Sequence, residues 1–221
     1  MKFLNKDSNK NIQNKNYNTI MESILDSISR TDEKPSLLLH SCCAPCSSSI
    51  IEFLCEYFNI TIFFYNPNIT EETEYLKRRD EHISFIKNNN LSISFIEGNY
   101  NVKENFFIPV KGHEKDREGE ERCSICYQLR IMETARIAKI EKFDFFSTVL
   151  SVSPMKNVNK INIIGEMAEE KYEIRFLYAD FKKKNRYKRS IELSKEHNLY
   201  RQDYCGCIFS KEETKNKNYS D

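Results

Sequence analysis

Short apolar runs that alternate with amphipathic segments constrain this chain more tightly than any other feature. Residues 36–40, 60–65, 92–96, 143–148 and 173–177 read as strands. Between and after them, 47–58, 71–88, 124–141, 159–171 and 187–197 carry apolar side chains at helical spacing, as with Ile50, Ile51, Leu54 and Phe58 on one face of 47–58. Strands that alternate with helices join by right-handed crossovers into a mainly parallel sheet covered on both faces, so the expected fold class is α/β. In such sheets ligands bind beyond the carboxyl ends of the strands.

Toward the ends of the chain the pattern lapses. Residues 1 to about 18 are rich in Asn and Lys, with too few apolar groups to offset the entropy of ordering, and read as a disordered leader. Ile20, Met21, Ile24, Leu25 and Ile28 then form a short amphipathic helix that Pro35 separates from the next element. The expected organisation is a leader and helix over 1–34, a single α/β domain over 35–210 and a polar tail over 211–221. The polar stretch 99–122 is expected to be a functional loop or a partly helical insertion.

Lys and Arg number 34 against 33 Asp and Glu, so net charge alone points to no nucleic acid, membrane or acidic substrate. The N-terminus lacks the apolar core of a signal peptide, and no stretch approaches the roughly 20 apolar residues of a membrane span. A cytoplasmic protein with no membrane partner is expected. There, eight clustered cysteines imply metal or redox chemistry rather than structural bridges.

The cysteines fall mainly into three groups: HSCCAPC at 40–46, RCSIC at 122–126 and YCGC at 204–207. Thiolate suits both iron-sulfur clusters and zinc, and four thiolates complete either site. Cys123 and Cys126 have chelating CxxC spacing, and a helix starting at Ser124 would depress their thiol pKa by its dipole. Adjacent Cys42 and Cys43 need an irregular turn, ending in Pro45, to face one centre or two. Cys205 and Cys207 flank Gly206, whose backbone freedom allows either metal ligation or a strained disulfide. Cys46 is open between ligand, nearby thiol and helix cap, while Cys55 beside Leu54 reads as a packed small hydrophobe.

Other chemistry is sparse. The chain contains no GxGxxG, no Walker-type phosphate loop and no HExxH. His40, beside the cysteine pair, could donate a proton, but a histidine at a strand end is more often structural. The run FKKKNRYKRS at 181–190 has the charge and aromatic residues of a nucleic-acid contact, although such a run also suits a plain solvated face.

Taken in order, LLLHSCCAPCSS, RCSICYQLRIMETARIA, FFSTVLSVSPMKN and DFKKKNRYKRSIELSKEHNLYRQDYCGCIFS resemble the cobalamin-independent epoxyqueuosine reductase family over about residues 36–210. The resemblance implies a Rossmann-like core with a 4Fe-4S cluster held by Cys42, Cys43, Cys123 and Cys126. Cys205 and Cys207 would be either a redox-active pair or ligands to an adjacent mononuclear iron. The implied activity is oxidoreductase: reductive removal of the epoxide oxygen in the anticodon of tRNA, with electrons from an external donor. Asp180 and Asp203 are candidate acids. The chain departs from the family at Arg186, where members commonly carry Gly before the Tyr. Two other readings use the same cysteines, namely a zinc-binding RNA module without catalysis and a metal-free thiol-disulfide oxidoreductase.

Overall fold

The computed structural model describes residues 15–218. Five strands, β1 (Ser36–His40), β2 (Asn59–Phe64), β3 (Ser94–Glu97), β4 (Phe145–Thr148) and β5 (Arg175–Phe176), form one sheet in the order β3-β2-β1-β4-β5. Every pairing is parallel. The chain winds outward from β1 to β3 on one side and from β4 to β5 on the other. The winding reverses between β1 and β4, which opens a crevice beyond their carboxyl ends.

Side chains alternate across β1. Leu37 and Leu39 enter a core shared with Ile50, Ile51 and Leu54 of α2 (Ala44–Leu54) and Phe85 of α3 (Glu72–Asn88). Leu38 points the other way, into a core with Ile131 and Ala135 of α4 (Glu121–Ile140) and Ile161 and Ile164 of α5 (Val158–Tyr172). Both sheet faces are therefore buried, as the alternating pattern requires. The starts of the two central strands are stapled together: Ser36 donates through N and Oγ to Asp144 at 2.8 Å, and Asp144 N donates back to Ser36 Oγ at 3.0 Å.

The elements differ from expectation mostly at their edges. α2 begins at Ala44 rather than residue 47, because Pro45 in its first turn starts the helix instead of ending a loop. α4 begins at Glu121, and acidic Glu121 in its first turn suits that end of the helix dipole. Residues 99–122 are a partly helical insertion with a π-helical turn at Lys103–Phe107. The expected leader lies outside the described residues up to 14, whereas Tyr17 already opens α1 (Tyr17–Ser29), whose Met21, Leu25 and Ile28 join the first core. Within the stretch read as a polar tail, the residues described up to 218 are helical and belong to α7 (Ile208–Asn218). Its charged residues hid it from a search for apolar periodicity.

Ahead of α6 (Arg186–Glu196), Lys184 and Asn185 take left-handed backbone at φ 56° and 61°. They make the turn just ahead of Arg186, which lays its guanidinium 3.9 Å from the Phe53 ring centroid. Among the described residues, no helix is long and apolar enough to cross a membrane.

Candidate metal centre

β1 delivers the first cysteine group directly. Cys42 and Cys43 follow its carboxyl end, Cys43 caps α2 without a side-chain bond to it, and Cys46 lies in the first turn of that helix. The three Sγ atoms lie within 4.8 Å of one another, and among the described residues no other three His, Cys, Asp or Glu side chains come together as a potential metal site. Cys42 and Cys43 are buried. Hydrogen bonds from Cys43 and then Cys46 hold the Cys42 thiol well below its ordinary pKa, whereas burial drives Cys43 well above it. Gln202 Nε2 lies 3.0 Å from the Cys43 sulfur, tying the C-terminal loop to this group.

The second group forms around a small cavity lined by Cys123, Cys126, Cys205 and Cys207. Cys123 and Cys126 lie three residues apart on α4 and so share one face. Their thiols are not depressed as expected. Burial outweighs a helix terminus, raising Cys123 and pushing Cys126 up to about 12. Cys207 likewise rises to about 12 by burial and takes the Ser210 N–H on its sulfur at 3.4 Å. All eight cysteines are free thiols, so the disulfide considered for Cys205 and Cys207 is not formed. Gly206 turns the chain between them at φ +116°, leaving Cys207 buried and Cys205 partly exposed.

That turn admits only glycine on two counts. Its backbone is left-handed, and a Cβ would approach Ile69 Cγ1 to 2.9 Å and Arg78 Nη1 to 3.3 Å. Arg78, 1% exposed, donates to the carbonyls of Cys205 and Tyr204 at 3.3 and 3.4 Å and pairs with Glu74 at 2.6 Å. α7 closes the other side. Its Glu213 pairs with buried Arg122 at 3.0 Å, and Ser210 Oγ joins Cys205 N to Glu118.

The two sulfur groups share their charged surroundings. Arg130, 1% exposed, lines the second cavity and faces Cys126, Cys205 and Cys42. Lys156 lies in the loop after β4 beside Cys205, Cys42 and Cys46; burial opposes its charge, but these sulfurs prevail and raise its pKa. Arg130 Nη2 and both amide atoms of Asn68 are buried without a hydrogen-bond partner, and both residues line the second cavity. Buried polar atoms of this kind need an acceptor or donor. An anionic thiolate-bound metal centre, whether an iron-sulfur cluster or a four-thiolate zinc, fits these cations.

Other sequence candidates fall elsewhere. His40 is fully buried, with Nδ1 on Thr148 Oγ1 at 2.8 Å and Nε2 on the Tyr65 carbonyl at 3.2 Å; burial lowers its pKa to about 3, and it serves as a strand clasp. Asp203 lines the open cavity next to the cysteines, whereas Asp180 is buried beside Lys182. Cys55 is exposed rather than packed, because α2 ends just before it. In the basic run Lys182 pairs with Asp180, Lys184 with Glu22, and Arg189 with Glu52 and Glu196. Much of that charge is already neutralised. Arg78, Arg122, Arg130 and Lys156 were not legible from motifs, since they reach the site from separate elements.

Comparison with known proteins places these observations in context. The sequence model of the family described as "Epoxyqueuosine reductase QueH" matches residues 37–213. An "Epoxyqueuosine reductase QueH" of Staphylococcus epidermidis is 38% identical over 202 residues, covering 88% of this chain and 84% of the relative. Its namesakes from Streptococcus pyogenes and Haemophilus influenzae are 36% and 40% identical, covering 88% and 85% of this chain and 78% and 76% of their own. Among solved structures, the U34-tRNA thiolase NcsA from Methanococcus maripaludis, described with its 4Fe-4S cluster, superposes at a TM-score of 0.47 and 12% identity over 91% of this chain and 71% of its own.

Proposed function

Because the chain belongs to the epoxyqueuosine reductase QueH family, we propose that it removes the epoxide oxygen of epoxyqueuosine in tRNA to give queuosine. The protein is an oxidoreductase, and tRNA is its substrate. The observation that carries this reading is that Cys205 lines both the open cavity with Cys42 and Cys46 and the small cavity with Cys123, Cys126 and Cys207, so three distant cysteine segments lie along neighbouring cavities.

Cys42, Cys43, Cys123 and Cys126 hold a 4Fe-4S cluster in this proposal, with Cys46 as a further thiol in reach of the first pair. Cys205 and Cys207 face it across the second cavity and bind an adjacent iron or cycle as a redox pair. When bound, the cluster passes electrons singly from an external donor and the adjacent iron supplies Lewis acidity. The protein's own part is to set the electrostatics and the access. Arg130 and Lys156 offset anionic charge, Arg78 holds the Cys205 backbone, and Glu118 with Ser210 holds the amide of Cys205. The open cavity of about 390 Å³, lined by Cys42, Cys46, Cys205 and Tyr204, admits the modified base.

The reading is tested by anaerobic purification with iron, sulfide and zinc analysis, followed by nucleoside mass spectrometry of epoxyqueuosine-bearing tRNA treated with protein and reductant. Roughly four sulfides with four or five irons per chain, and conversion to queuosine, are expected. Zinc without sulfide, and no conversion, would replace it with the zinc-binding RNA module.

A further inference from the structure

Lys156 stands out among the groups at the mouth of the site. It lies in the loop that follows β4, across the reversal point from the thiols that follow β1. Its side chain lines the 390 Å³ cavity together with Cys42, Cys46, Cys205, Asp203 and Tyr204. Two cations line that cavity, and their circumstances differ. Arg201 is occupied, donating to the Ser190 carbonyl at 3.2 Å and to Ser194 Oγ at 3.0 Å. The Lys156 ammonium makes no hydrogen bond and no carboxylate ion pair among the described residues; the groups that face it are the sulfurs of Cys205, Cys42 and Cys46 and the Tyr127 hydroxyl. An ammonium has three donors and no acceptor, so within a cavity it binds whatever oxygen enters.

From this position we infer that Lys156 binds the epoxide oxygen of the substrate and gives it a proton as it leaves. The inference rests on the epoxyqueuosine reductase reading and adds a residue to it. In the balanced reaction both C–O bonds of the epoxide break and a carbon–carbon double bond forms. Two electrons enter from a low-potential one-electron donor, and the oxygen departs with two protons as water. Lys156 supplies one proton and is recharged from solvent through the open mouth; the second comes from solvent by the same route. Oxygen that gains electrons in a C–O cleavage is far more basic than an amine, so the transfer runs downhill. A fixed cation also stabilises the negative charge that develops there.

The test uses iron-loaded full chain, with Lys156→Met and Lys156→Arg variants. Three quantities are measured: iron and sulfide content, single-turnover rate, and affinity without reductant for tRNA bearing the epoxide against tRNA bearing the product. Wild type is expected to prefer the epoxide form by about fivefold, as a site built to hydrogen-bond that oxygen should. Lys156→Met should erase the preference and slow turnover roughly 100-fold with metal content unchanged, the scale of a lost general acid. Lys156→Arg should restore the preference and part of the rate. A Lys156→Met protein that keeps both preference and rate within about twofold overturns the assignment. So does one that loses iron or sulfide, which would make Lys156 a partner of the cysteines instead. Wild type that converts no epoxide-bearing tRNA sinks the family reading itself, a failure visible before any variant is made.

Discussion

The two thiol groups are built in different ways. Cys42, Cys43 and Cys46 are set by the sheet and by the first turn of α2, and their sulfurs lie within 4.8 Å of one another before any metal enters. Cys123, Cys126, Cys205 and Cys207 instead surround a cavity whose walls come from α4, the Gly206 turn and α7, with Cys205 held through backbone contacts to Arg78 and Ser210. The difference teaches that a rigid strand end can preorganise ligands, whereas a loop gripped by side chains can adjust to what it binds. In the proposed function the strand-end and α4 cysteines retain the cluster, and the Cys205–Cys207 turn is the part that exchanges contacts during turnover.

The largest effect should separate the groups outright. Cys43→Ala is expected to bring iron and sulfide to background and abolish conversion; a variant retaining wild-type iron would break the comparison at its firm end. Next, Cys205→Ser and Cys207→Ser should abolish turnover while most of the iron remains, so parallel loss of iron would show Cys205 and Cys207 to be ligands of the cluster itself. A smaller change comes from Gly206→Ala. The strained φ and the contacts with Ile69 and Arg78 should lower stability by about 1–3 kcal/mol and turnover at least tenfold at unchanged iron content, read by urea unfolding and the tRNA assay.

The smallest effect concerns the packing behind the first group. His82, fully buried with Nε2 2.9 Å from Ser47 Oγ, has its pKa lowered by burial to about 4. Between that value and the ordinary histidine value near 6.5, the unfolded chain takes up a proton that the folded protein refuses. Stability should therefore fall as pH drops through this window, by at most ~1.4 kcal/mol per pH unit from this residue. Urea midpoints at pH 7, 6 and 5 should show a shallower loss in His82→Gln, and an identical slope would remove His82 from the account.

Much of this architecture was legible because periodicity is a local property. The run 36–40 coincides with β1, and every expected strand is present, though β5 shortens to Arg175–Phe176. The errors have physical causes. Pro45 begins a helix as readily as it ends a turn, so apolar spacing alone starts α2 at 47, whereas the helix begins at Ala44 and takes Cys46 into its first turn. α7 presents charge rather than an apolar stripe, and its contribution comes through Glu213 and Ser210 in pairings with distant residues.

By itself, the sequence determined the α/β class, the three cysteine segments and the family, because apolar period, motif spacing and composition act along the chain. Only the tertiary structure decided which sulfurs meet first, that Arg78, Arg122, Arg130 and Lys156 surround them, and that His40 is a clasp. Those outcomes depend on burial and on contacts between residues far apart in sequence. Burial can raise a thiol that a helix end would lower, and a cation's role rests on which partners its neighbours have already taken.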